Sequence, residues 1–236
     1  MVGRHPLEVN IGVRVPDRQQ KGAEQSWYTQ DMNKPQILMI HGGMTFKSDK
    51  DYVAWMKSRR ISIQKRPYWE ADLEKKLKKG FEIIRPRMPL QDNAKYRDWS
   101  IHFERHIPLL KKNYILIGSS LGGVFLAKYL SENKLPKKAL SVYLVCAPFD
   151  DSLPTEDLAG GFKLKSDLSL IEKNCQNLYA LFSEDDDIVP VSHAEKYRKK
   201  LPKAHIAVYK DRQGHFTTPT FPGIMKMIMK DVGTSR

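Results

Sequence analysis

Cysteine is nearly missing from this sequence: Cys146 and Cys175 are the only two in 236 residues. A disulfide framework is thereby excluded as the main source of stability, and a reducing compartment such as the cytoplasm is the expected setting. Long apolar runs are missing too. None reaches the roughly 18 residues that a membrane-spanning helix needs, and the first thirty residues hold no apolar signal core. Acidic residues are in deficit, with 27 Asp and Glu against 40 Lys and Arg, a formal charge of +13. The lysines come as scattered pairs on helix-like stretches, such as Lys75-Lys76, Lys111-Lys112 and Lys199-Lys200. That pattern suits a solvated charged surface better than a nucleic-acid face. Internal repeats and low-complexity tracts are absent as well.

What is present is enough apolar material for one packed domain: 41% of the residues are hydrophobic, and 10% of all residues are aromatic. Short, mostly apolar runs at 36–41, 81–85, 114–118, 140–146, 178–183 and 205–209 read as buried parallel strands. Between them, 69–79, 99–110, 121–133, 191–201 and 222–232 read as helices. This alternation predicts an α/β fold with about six mostly parallel strands and helices on both faces. The chain before Lys34 breaks the pattern. Residues 1–31 are expected to be an extension, with Leu7 to Val15 a candidate edge strand, and 32–236 the compact domain.

The sharpest local signal is Gly118-Ser119-Ser120-Leu121-Gly122, a Gly-x-Ser-x-Gly frame between a strand-like and a helix-like run. That context is what a nucleophile on a tight strand-to-helix turn requires, and the glycines assign the central place to Ser120 rather than Ser119. A serine hydroxyl needs a base at neutral pH. His215, in Gln213-Gly214-His215-Phe216 after the last strand, is the candidate. The orienting acid should follow the strand ending at Ser183, where Glu184, Asp185, Asp186 and Asp187 crowd together. The Asp-x-x-Val-Pro frame selects Asp186 over its neighbours, and loss of Asp185 or Asp187 is expected to matter far less. The backbone N–H of Leu121, at a helix start, is one expected oxyanion donor. A second is expected from His41-Gly42-Gly43-Met44, at Gly43 or Met44, with His41 supporting the loop.

These stretches, with Arg87-Met88-Pro89 and Ala147-Pro148-Phe149, resemble the α/β-hydrolase superfamily and, within it, the small retinoblastoma-binding-protein-9-like serine hydrolases. The resemblance spans residues 36–216 in the family's order. It implies Ser120, Asp186 and His215 as a triad, esterase-like activity, and neither metal nor organic cofactor. Residues 44–68 are longer and more basic than in such hydrolases. The pocket-protein motif Leu-x-Cys-x-Glu is absent: Leu144-Val145-Cys146-Ala147-Pro148 has proline in place of glutamate, so no retinoblastoma-type partner is expected.

Two further features complete the reading. His102 and His106 lie on one helix face at metal-pair spacing, but no third ligand is evident in the sequence around them. Of the aromatics Phe46, Tyr68, Trp69, Trp99 and Phe149, most read as core. Phe149 is the best candidate for a substrate pocket, because it follows a strand's carboxyl end. Only about 28 residues run from Phe149 to Gln176, too few for a large cap. The expected function is a carboxylesterase for short or medium acyl esters acting through an acyl-enzyme. A thioesterase or peptidase would use the same triad, and a non-catalytic binding protein on this scaffold would show a broken one.

Overall fold

Six β-branched and aliphatic runs become the six strands of one sheet. A computed structural model describes residues 34–61, 63 and 67–234, so the expected extension at 1–31 lies outside the described residues. The strands are β1 (Gln36–Ile40), β2 (Glu82–Ile84), β3 (Ile115–Ser119), β4 (Ala139–Val145), β5 (Cys175–Ser183) and β6 (His205–Tyr209). All pair in parallel in the order β2-β1-β3-β4-β5-β6. The inner strands β1, β3 and β4 are buried along their whole length, which is why their sequences do not alternate.

Seven α-helices lie among the described residues: α1 (Asp49–Ser58), α2 (Trp69–Leu77), α3 (Tyr96–Glu104), α4 (Leu121–Glu132), α5 (Ser169–Asn174), α6 (Ser192–Lys200) and α7 (Pro222–Thr234). Alternate strand residues feed two separate cores. Leu38, Leu116, Val142 and Phe182 pack with residues of α3, α4, α5 and α6. Ile37, Ile115, Tyr143 and Leu181 pack on the opposite face with α2 and α7. Helix α4 is buried at nine positions, including Leu121, Val124, Phe125 and Leu130, so it is held by apolar burial of about 1.5–3 kcal/mol per large side chain.

Three elements differ from the sequence expectation. The helix expected over 99–110 ends at Glu104, and Ile107–Leu109 is a separate 3₁₀ turn around Pro108. Helices α1 and α5 were not expected. α1 buries none of its residues, so it gives no apolar stripe to find. Its start is nonetheless marked by Ser48, which accepts the Asp51 N–H at 3.2 Å while its own hydroxyl donates to the Asp51 carboxylate at 2.7 Å.

An acid buried under the sheet ties α7 in place. Asp231, 3% exposed, accepts the hydroxyls of Ser141 at 2.5 Å, Tyr143 at 2.8 Å and Tyr179 at 2.8 Å. Between β4 and β5 the only helix among the described residues is the six-residue α5, so this connection is a loop and not a cap domain. Among the described residues no helix is long and apolar enough to cross a membrane.

The strand order places a switch point between β1 and β3, whose following segments leave in opposite directions. A crevice opens there, at the carboxyl ends of the strands. Register aligns the rim: Ile40 is paired with Gly118 and Ser119 with Val145. The chain therefore delivers His41, Ser120 and Cys146 to one edge of the sheet.

Candidate active site

Ser120 sits where β3 turns into α4, with φ 52° and ψ −121°. An L-residue adopts such a conformation only when its surroundings force it. Here the forcing is close packing of helix on strand. A Cβ added to Gly122 would lie 2.4 Å from the Ile40 carbonyl oxygen, so only glycine lets α4 start this close to β1. The Ser120 N–H donates to Val145 O at 2.8 Å, and its carbonyl accepts from Gly123 and Val124. The neighbouring Ser119 hydroxyl is engaged otherwise: it donates to Glu70 Oε1 at 2.9 Å.

His215 and Asp186 meet as the sequence expects. The two Asp186 oxygens both lie 2.9 Å from His215 Nδ1. The Asp186 side chain is 1% exposed and accepts the N–H groups of Ile188 at 3.0 Å and Val189 at 2.8 Å through Oδ1. An acceptor carboxylate on Nδ1 fixes the proton there and leaves Nε2 as the basic nitrogen. The loop that carries the histidine is tight: Gln213, Gly214 and Phe216 all have positive φ, and Phe216 N donates to Gly214 O at 2.7 Å. Phe216 anchors the loop by packing into the core against Phe221 and Tyr209.

Asp185, next to the expected acid, holds the backbone of the histidine loop. Its carboxylate accepts the Arg212 N–H at 3.0 Å, the Gly214 N–H at 2.8 Å and the Ser183 hydroxyl. Burial acts to raise its pKa, but these three donors outweigh burial and hold the carboxyl well below the usual range.

His215 Nε2 faces Cys146 Sγ at 3.8 Å, and among the described residues no hydrogen bond joins it to the Ser120 hydroxyl. Such contacts commonly tighten only with substrate in place. Burial acts to lower the pKa of His215, while the Cys146 sulfur and the Asp186 carboxylate raise it. Burial also pushes the Cys146 thiol up, so a neutral thiol stands beside Nε2 at neutral pH and the raising influence that persists is Asp186. Cys146, Asp186 and His215 are the only three metal-capable groups that cluster among the described residues. Asp186 occupies Nδ1 and Cys146 faces Nε2, on opposite sides of the ring, so one ion cannot take all three while the His215–Asp186 hydrogen bonds stand. His102 and His106 remain a pair: His106 Nδ1 is bonded to the His102 carbonyl at 2.9 Å.

The loop after β1 lies against Ser120. A Cβ on Gly42 would be 3.2 Å from Ser120 Cβ. His41 braces this loop, accepting the Met88 N–H on Nε2 at 2.9 Å and donating from Nδ1 to Gly42 O at 2.6 Å. The Met44 N–H donates to Gln91 O at 2.8 Å. Met44 is therefore corrected as an expected oxyanion donor, since its only backbone proton is engaged; Gly43 N–H has no such partner among the described residues.

Ser120, Cys146 and His215 line one cavity of about 320 Å³, with Gly43, Trp69 and Phe216 among its other walls. A neighbouring cavity of about 380 Å³, at His41, Arg85 and Arg87, shares only Ser119 and Glu70 with it. Phe149 lines neither. Its ring, partly buried, packs against the core edge-on to Tyr197 at 5.1 Å, and its N–H donates to the buried His193 Nδ1 at 2.8 Å. Sequence reasoning missed two residues that do line the first cavity, Glu70 and Glu156. Glu70 opens a helix, where an acid is expected for the helix dipole alone, and Glu156 stands in an irregular polar stretch that carries no periodic signal.

The chain matches the serine hydrolase family over residues 63–220, more than half its length, and belongs to that family. No curated protein matches the sequence. Among solved structures it is similar to the ydeN gene product of B. subtilis, at 21% identity and TM-score 0.68, covering 85% of this chain and 100% of that one. A putative yden-like hydrolase from Pectobacterium atrosepticum aligns at 15% identity and TM-score 0.55, covering 90% and 96%. A carboxylesterase structure from Nitrososphaera gargenis aligns at 14% identity and TM-score 0.56, covering 86% and 92%. At these identities the likeness is one of fold, the α/β-hydrolase fold.

Proposed function

We propose that this protein is a carboxylic ester hydrolase that works through a covalent acyl-enzyme, with Ser120 as nucleophile, His215 as base and Asp186 as the orienting acid. One observation carries the reading: His215, gripped by Asp186 at 2.9 Å, lines the same cavity as a serine on a positive-φ turn. In this reading His215 Nε2 takes the Ser120 proton as Oγ attacks the ester carbonyl. The resulting oxyanion is met by the N–H groups of Leu121 and Gly43. His215 then returns the proton to the departing alkoxide, and the ester C–O bond breaks. A water repeats the sequence in reverse to release the acid and restore Ser120.

A cavity of about 320 Å³ is at the small end of ligand sites, which run from roughly 300 to 1,000 Å³. It suits short or medium acyl chains better than long ones. The test is labelling of the whole chain by a fluorophosphonate probe, followed by p-nitrophenyl esters of increasing chain length. The adduct is expected on Ser120, located by mass spectrometry of the labelled peptide. Ser120→Ala should lose both labelling and turnover while keeping its fold, and Ser119→Ala should keep labelling. An adduct on Ser119, or none on well-folded protein, would overturn the assignment.

A further inference from the structure

The cavity beside Ser120 carries a charge opposite to that of the chain as a whole. The sequence holds 40 Lys and Arg against 27 Asp and Glu, yet the charged residues lining this cavity, His215 apart, are Glu70 and Glu156. The two reach it from different elements. Glu70 lies in the first turn of α2, and Glu156 comes from the loop between β4 and α5.

Glu156 has no hydrogen-bond or ion-pair partner among the described residues, and the loop that carries it is clamped. Thr45 Oγ1 donates to Asp157 O at 2.6 Å and accepts the Ala159 N–H at 2.8 Å. Lys47 pairs with Asp157 at 2.5 Å, and Tyr96 N donates to Gly160 O at 2.9 Å. The glutamate is thus set at the cavity on a fixed segment rather than hanging from a free one. Burial raises the pKa of both glutamates above the ordinary value. His215 acts against burial at both, and Ser119 and Arg85 do so at Glu70, so Glu156, which accepts no hydrogen bond among the described residues, is the half-buried carboxylate that a cation would satisfy. The remaining walls include the exposed ring of Tyr68, which a cation also favours, beside the buried rings of Trp69 and Phe216.

We propose that this cavity selects substrates bearing an ammonium group, held between the Glu156 carboxylate and the aromatic wall while the reacting carbonyl lies against Ser120. Glu156 is then the specificity-determining residue, with Glu70 adding negative field from the opposite element. The inference rests on the hydrolase reading above, and its test separates the two.

Two phosphonylating probes of equal shape are compared on the full chain. One carries a thiocholine leaving group, and the other carries its neutral 3,3-dimethylbutanethiol isostere. In both, the Ser120 Oγ–P bond forms, the P–S bond breaks, and the thiol leaves with the serine's proton. The readout is the ratio of the two second-order labelling rates within each protein, so a general loss in a variant cancels. The wild-type ratio is expected to favour the cation by about tenfold, as a carboxylate a few ångströms away in a partly desolvated site would give. Glu156→Gln should bring the ratio close to one, and Glu156→Lys should invert it. Asp151→Asn, at an exposed acid paired with Lys163, should leave it unchanged. A wild-type ratio near one, or one that Glu156→Gln does not alter, overturns the cation preference while labelling itself upholds the hydrolase. Failure of both probes to label folded protein overturns the hydrolase reading, and the preference with it.

Discussion

The Gly214 N–H donates to Asp185 at 2.8 Å, one residue before the histidine that Asp186 grips at 2.9 Å. Consecutive acids at the end of β5 thus divide the work. Asp185 holds the backbone of the histidine loop, and Asp186 holds the ring. Asp186→Asn should cut turnover by about 10⁴-fold, because the amide stabilises the wrong tautomer. Asp185→Asn should cost less, about tenfold, through a loosened loop. Steady-state kinetics on p-nitrophenyl butyrate decides it: equal losses in the two variants would remove the distinction.

Asp185 also predicts a pH effect on stability. Its folded-state pKa lies below the ordinary value. A depressed acid contributes stability that is fully present above the unfolded value, about 3.9, and is lost as pH falls toward the folded one. The Tm gap between wild type and Asp185→Asn should therefore be widest above about pH 4 and shrink below it. A gap that widens on acidification would contradict the assignment.

Asp231 is expected to matter for stability alone. Asp231→Ala strands the hydroxyls of Ser141, Tyr143 and Tyr179 in the core. The loss should be about 3 kcal/mol or more, read from urea unfolding. A loss below about 1 kcal/mol would mean that water or repacking satisfies the three donors.

Two glycines should respond oppositely to a methyl group. At Gly122 the added Cβ meets the Ile40 and His41 carbonyl oxygens at 2.4 and 2.6 Å, and backbone cannot yield. Gly122→Ala should cost about 3 kcal/mol or more. At Gly80 nothing lies within 4 Å, and alanine should be neutral to within about 1 kcal/mol. Thermal melts of the two variants check the contrast.

Residues 1–31 are proposed to be separable from the hydrolase domain, because most of that stretch is polar and irregular in sequence. A chain beginning at Met32 should fold and keep its activity. An insoluble product, or a large fall in Tm, would show that Leu7 to Val15 pairs with the sheet.

The sequence by itself determined the six strands, their parallel arrangement and the pairing of Asp186 with His215. Each rests on a local pattern: continuous apolar runs mark strands buried on both faces, and the glycine frame around Ser120 and the Asp-x-x-Val-Pro frame mark turns whose backbone tolerates few residues. Helix α1 escaped because it buries nothing, although its Ser48 cap was legible. What only the tertiary structure decided depends on segments far apart in the chain. Met44 lost its candidacy to a carbonyl at Gln91, and Phe149 to a ring at Tyr197. Asp185 gained a role from the loop at 212–214. Glu70 and Glu156 reach the Ser120 cavity from either side of the nucleophile in sequence. No period or motif relates positions so separated; only closure of the sheet, with its strand ends in register, brings them to one rim.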